Sequence, residues 1–132
     1  MGMGETPPPN VPTFLVPLSA HMLEAAGALW IIVYIRFMRS AKRDKTYGIP
    51  IACLASNMAC DIVAGAYVTE DPTERYGYCV LAFIVLGLIY YTVKYGPNEW
   101  NHAPVIQRNI FAVITILFCV FASLQYSFAR YW

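Results

Sequence analysis

Long apolar runs alternate with short polar stretches along this chain, and the alternation predicts four membrane-crossing helices. The first run covers residues 14–38 and is most apolar from Leu29 to Phe37, after a weaker stretch holding His21 and Glu24. The second covers 49–68 and includes Asn57 and Asp61; the third covers 78–95; the fourth covers 110–128. Each run approaches the roughly 20 residues that a helix needs to cross a hydrocarbon core. The runs are continuously apolar rather than alternating, and a backbone in lipid must satisfy its own hydrogen bonds, so helices are expected and strands are not. The predicted fold class is therefore all-α, a polytopic transmembrane helix bundle.

The segments between the runs add organisation. Residues 1–13 hold Pro7, Pro8, Pro9 and Pro12, which oppose regular helix, so a short leader is expected there. It lacks the basic region of a signal peptide, and no cleavage is expected. Residues 14–132 form a single predicted domain. Arg36, Arg39, Lys42, Arg43 and Lys45 cluster after the first run and are opposed by Asp44. Such a cluster predicts that the loop 39–47 is cytoplasmic and that both termini are lumenal. Thr69 to Gly77 is read as an acidic loop carrying Glu70, Asp71 and Glu74 against Arg75. Tyr47, Tyr76, Tyr78, Tyr95, Trp100, Tyr131 and Trp132 fall near predicted span ends, as interfacial anchors do.

Composition supports the membrane reading and excludes others. Hydrophobic residues make up 58% of the 132 positions and charged residues only 13%, where a soluble domain carries roughly 25%. A net charge of +1 gives no nucleic-acid footprint, and no nucleic-acid partner is expected. Cys53, Cys60, Cys79 and Cys119 lie in apolar runs without metal-ligand spacing, and are read as small buried hydrophobes.

Asp61 is the most informative position. A carboxylate at membrane depth is unfavourable by about 2.5–3.5 kcal/mol, so it normally faces a bundle interior or a cavity. Asn57 and Gly65 lie four residues to either side and share its helix face. The residues alone leave two roles open: a general acid, or a structural hydrogen bond between helices. Glu24, with His21 three residues before it, is a second membrane-proximal acid that could share a cavity with Asp61. Trp30, Tyr34, Tyr67, Tyr90 and Tyr91 supply aromatic faces, which can attract cations but more often pack. Gln125 is a single polar group in the last run.

Two separated motifs carry a resemblance. Tyr47-Gly48-Ile49-Pro50 followed by Asn57-Met58-Ala59-Cys60-Asp61 is similar to the second helix of the fungal membrane-bound terpene cyclases of indole-diterpene and meroterpenoid pathways. That helix has a Tyr-Gly-Met-Pro-like start and an Asn-x-x-Trp-Glu segment. Glu99-Trp100-Asn101-His102-Ala103-Pro104 resembles the family's Glu-Trp-x-His-Ala-Pro connection, although no role follows for Glu99, Trp100 or His102. Trp30 and Tyr34 fit the first helix, and the resemblance runs from Leu18 to Phe121. Three departures stand out. Cys60-Asp61 replaces the Trp-Glu pair; the family's Gly-His feature is not evident in Phe121 to Gln125; and the family has seven helices, with a second essential acid in the later ones.

The resemblance implies a reaction without metal or cofactor. Family members protonate the terminal epoxide of a prenyl chain on an aromatic or indole unit, and ring closures follow. It implies Asp61 as the acid, Asn57 as a residue orienting it, Glu24 as a further polar group, and Trp30 and Tyr34 as cavity aromatics. The expected surroundings are the lipid bilayer of the endoplasmic reticulum, a hydrophobic prenylated substrate, and a second copy of the chain that completes a cavity. Competing readings are a non-catalytic relative that scaffolds other membrane proteins, and a small subunit that moves protons or ions past Asp61.

Overall fold

A computed structural model of the chain describes residues 10–12 and 14–131. Most of the expected leader and the anchor Trp132 fall outside the described residues. Four helices are long and apolar enough to cross a membrane, and no strand occurs among the described residues. The bundle is therefore all-α, as its apolar runs require, but three of its four spanning helices, the second being the exception, are longer than the runs that predicted them.

The first helix, α1, spans Leu15–Asp44. It continues beyond residue 38 through the basic cluster, because Ala, Arg and Lys are good helix formers. Lys42 and Arg43 in the last turn also complement the negative end of the helix dipole. The helix ends where Lys45 adopts a left-handed conformation, φ 54°. The loop predicted over 39–47 thus contracts to residues 45–50.

Pro50 precedes α2, Ile51–Val63, which continues as a π-helical turn, Ala64–Val68, closed by the Thr69 amide donating to the Ala64 carbonyl at 2.9 Å. The next helix, α3, spans Pro72–Tyr95. It starts well before residue 78, and the acidic loop predicted over 69–77 is mostly its first two turns. Asp71 is the reason: its Oδ2 accepts from the Thr73 and Glu74 amides at 2.9 and 3.1 Å, and Pro72 occupies the first helical position. Arg75 donates to the Thr69 carbonyl at 3.1 Å and ties the turn together. A single 3₁₀ turn, Gly96–Asn98, and a short helix, α4, Pro104–Arg108, lead to α5, Ile110–Tyr131.

Helix α2 is central and packs on both α5 and α3, while α1 packs on α3. Tyr34, Ile49, Leu54, Val85 and Leu88 form one buried cluster, and Ile51, Ile110 and Ile114 a second. Gln125 of α5 donates to the Ser56 carbonyl of α2 at 3.4 Å, a polar tie across the central pair. Large side chains such as Leu29, Phe83 and Phe111 point outward, which is the expected arrangement where the surroundings are hydrocarbon. The cysteines depart from the expectation of burial, since all four are exposed on the bundle.

Candidate active site

Because α1 and α2 both lean on α3, a cleft opens between α1 and α2 in the half of the bundle near the Thr69–Asp71 turn. Its volume is about 570 Å³. Small residues make the room: Ala26, Gly27 and Ala28 of α1 and Gly77 of α3 line it, and a methyl group placed at either glycine would meet nothing within 4 Å.

Five residues singled out from the sequence line this one cavity: Glu24, Trp30, Tyr34, Asn57 and Asp61. Asp61 is only 8% exposed, and its Oδ2 has no hydrogen-bond partner among the described residues. A buried polar atom is ordinarily satisfied, so an orphaned carboxyl oxygen beside an apolar cavity needs a reason. The rings of Trp30 and Tyr34 lie 5.5 Å apart at 51° and form the α1 wall, with Tyr34 itself in the core. Glu24 shares the cavity but is exposed, and its Oε2 lies 3.4 Å from His21 Nδ1. Gly65 lies on Asp61's helix face and is used for packing: a methyl group there would fall 3.0 Å from Tyr78 Cβ.

Cys60, Glu74 and Tyr78 also line the cavity and were not foreseen as site residues. A signal for the last two exists. Asp71-Pro72-Thr73-Glu74 is a helix-start sequence, and reading it as one places Glu74 and Tyr78 one turn apart on α3.

Glu99, Trp100 and His102 lie elsewhere, at the opposite end of the bundle. There the two motifs that are far apart in sequence meet. The Trp100 ring lies 6.5 Å from Tyr47 at 26° and 5.4 Å from His102 at 29°. Trp100 also packs on the Ile51–Ile110–Ile114 cluster. Gln107 donates to the Pro97 carbonyl at 2.9 Å and to Asn101 Oδ1 at 3.0 Å, and Asn101 donates to the Asn98 carbonyl at 3.0 Å. Glu99 and His102 are exposed. This region is a clasp that holds the loops around α5, away from the cavity.

Comparison with known proteins decides the family. Residues 3–132 match the model of the Pyr4-like transmembrane terpene cyclases. The chain belongs to this family. Its relatives include terpene cyclase ascF of Acremonium egyptiacum, 30% identical over the whole of this chain and 48% of that protein. They also include the Pyr4-family terpene cyclase mfmH of Annulohypoxylon moriforme, 31% identical over 75% of this chain and 41% of that protein. Terpene cyclase ptmB of Penicillium ochrochloron is 32% identical over 71% of this chain and 39% of that protein. The chain thus spans about half the length or less of the curated relatives it matches. No solved structure matches it significantly. The chain is an integral membrane member of a terpene cyclase family, and the cavity between α1, α2 and α3 is where its membrane-embedded acid lies.

Proposed function

We propose that the chain is a membrane terpene cyclase whose cavity takes the epoxide end of a prenyl-aromatic molecule and whose Asp61 protonates that epoxide. The observation that carries the reading is the orphaned Oδ2 of Asp61, buried beside an apolar cavity with aromatic walls. Apolar surroundings favour the neutral form of a carboxyl group, the form that has a proton to give. No side chain among the described residues takes up that hydrogen-bonding position.

The step balances simply. The Asp61 O–H proton passes to the epoxide oxygen, the bond from that oxygen to the more substituted carbon breaks, and the oxygen stays on its neighbour as a hydroxyl. The electron-poor carbon accepts the π electrons of the nearest alkene, which closes a ring and moves the cation along the chain. Loss of a proton from the last cation restores the count. Asn57, one turn before Asp61 on the same wall, orients the carboxyl. Trp30 and Tyr34 offer π faces to the cation, and Glu24 adds a polar group near the mouth.

The same reading sets the chain in the endoplasmic reticulum membrane. Arg36, Arg39, Lys42, Arg43 and Lys45 lie on the cytoplasmic side, and the cavity opens in the lumenal half. An N-glycosylation acceptor inserted at residues 69–71 should then be modified and one inserted at 46–48 should not.

The deciding experiment expresses the chain in a fungal host and supplies an epoxidised farnesyl- or geranylgeranyl-aromatic substrate. Wild type should yield a cyclised isomer of the substrate, and Asp61→Asn should yield far less, by about 10²–10⁴-fold. Absence of product from wild-type protein that is present in the membrane would overturn the reading. So would equal product from the Asp61→Asn variant, as far as the acid is concerned.

A further inference from the structure

The walls of the cavity are not equivalent. Among the described residues, the aromatic rings that line it are Trp30 and Tyr34 from α1 and Tyr78 from α3. Helix α2 contributes the acid but no ring, and the cavity residue adjacent to Asp61 is the small Cys60. A π face on the wall away from α1 therefore has to come from Tyr78.

The backbone holds Tyr78 in place. Gly65 lies one helical turn beyond Asp61, at the π-helical turn of α2, and a methyl group there would fall 3.0 Å from Tyr78 Cβ and 3.9 Å from its Cγ. The absence of a side chain at Gly65 lets the stem of Tyr78 rest against α2 just past Asp61. Tyr78 is half-buried there and lines the same cavity as Asp61 and Glu74.

The consequence rests on the reading that Asp61 starts a cyclisation. Once Asp61 has given up its proton, it is a base beside a carbocation. The cation then has two fates: it adds to the next alkene, or it loses a proton early and leaves an isomer with fewer rings. A π face near the cation favours the first by lowering its energy without offering a base. We propose that Tyr78 is a specificity-determining residue whose ring, held against Gly65, stabilises the cation opposite Trp30 and Tyr34 and keeps the cyclisation running past its first ring.

The test compares Tyr78→Phe, which keeps the π face, with Tyr78→Leu and Tyr78→Met, which fill similar space without one. Two readouts are taken on the full chain. The first is the ratio of fully to partly cyclised isomers formed in the fungal host. Tyr78→Phe should keep the wild-type ratio, and the Leu and Met variants should lower it about tenfold. The second needs no turnover. In nanodiscs, the affinity of a prenyl trimethylammonium ion is compared with that of its neutral tert-butyl isostere. Preference for the cation should persist in Tyr78→Phe and fall about tenfold in the Leu and Met variants, Asp61 being present in all.

Unchanged ratios and unchanged cation preference in Tyr78→Leu and Tyr78→Met would overturn the proposal while leaving Asp61 as the acid. Should wild type form no cyclised product while the cation preference still depends on the ring at 78, the protonation reading would fail and the cation site would stand. If Tyr78→Leu does not accumulate, Tyr78→Met carries the comparison, and a loss of the ratio in Tyr78→Phe as well would show that the hydroxyl, not the π face, is what matters.

Discussion

Near the Thr69–Asp71 turn, three helices leave a cleft of about 570 Å³ and a carboxyl oxygen with no partner. At the other end, the Tyr47 loop and the Gly96–Asn98 connection close over Trp100, and Asn101 and Gln107 spend their amides on nearby carbonyl oxygens. The second region also has an orphan, since Trp100 Nε1 finds no hydrogen-bond partner among the described residues. The two orphans differ in kind. An indole N–H is neutral, and the ring that carries it packs on an apolar cluster. A carboxyl group can ionise, and burying it unpaired is far more unfavourable. One end has given up empty space and an unsatisfied acid, while the other fills space and pins loops. That contrast sets a cavity with an unpaired acid apart from a packed clasp, although the motifs that carry the family resemblance occur in both.

Substitutions at the two ends should therefore fail in different ways. The largest effect is expected at Asp61. Asp61→Asn should reduce cyclised product by about 10²–10⁴-fold, the usual weight of a general acid, with the membrane-inserted amount of protein unchanged. Product by mass spectrometry and protein by immunoblot check the two halves. Asp61→Leu should be equally inactive yet raise the stability in detergent by about 1–2 kcal/mol, because it removes a buried polar atom that has no partner. A drop in thermal midpoint for Asp61→Leu would show that the carboxyl is a structural group after all.

Trp100→Ala should show the reverse behaviour. Loss of a half-buried ring from the clasp should cost about 2–3 kcal/mol, below the range for a fully buried Trp, and lower the thermal midpoint. Product should fall only in proportion to folded protein. A Trp100→Ala variant of normal stability but no activity would dissolve the division between the two ends.

Gly77→Leu is a finer probe of the cavity. A side chain at this position meets nothing within 4 Å at its first carbon, so folding should be unaffected while the cavity fills. An increase in the substrate KM of about tenfold, or about 1.4 kcal/mol of lost binding, is expected with normal thermal stability. The smallest effect is expected at Lys45, whose left-handed backbone suits glycine. Lys45→Gly should raise stability by up to about 1 kcal/mol and leave product formation alone.

Much of this architecture is legible along the chain, and the parts that are not share a cause. The four spans follow from apolar runs, since a backbone in lipid has few alternatives to a helix. Their ends do not follow, because hydropathy marks where lipid begins rather than where hydrogen bonding stops. Lys42 and Arg43 are polar yet helical in α1, and Thr73 and Glu74 are polar yet helical in α3, the latter through the Asp71 cap. Reading Thr69 to Gly77 as a loop is what hid Glu74 and Tyr78 from the site.

Asp61 could be chosen from the sequence because an acid inside an apolar run is costly wherever it points, and the cost depends on residue type and depth alone. Asn57 follows it by helical spacing, and Trp30 and Tyr34 by similarity of the first helix. Their convergence on one cavity with Asp61 was decided by the tertiary structure, as was the role of Trp100 in a clasp with Tyr47. Periodicity fixes the face of a helix on which a residue sits, but not which helix that face meets. That choice was made when α1 and α2 both packed on α3, and the space left between them is a property of no single segment.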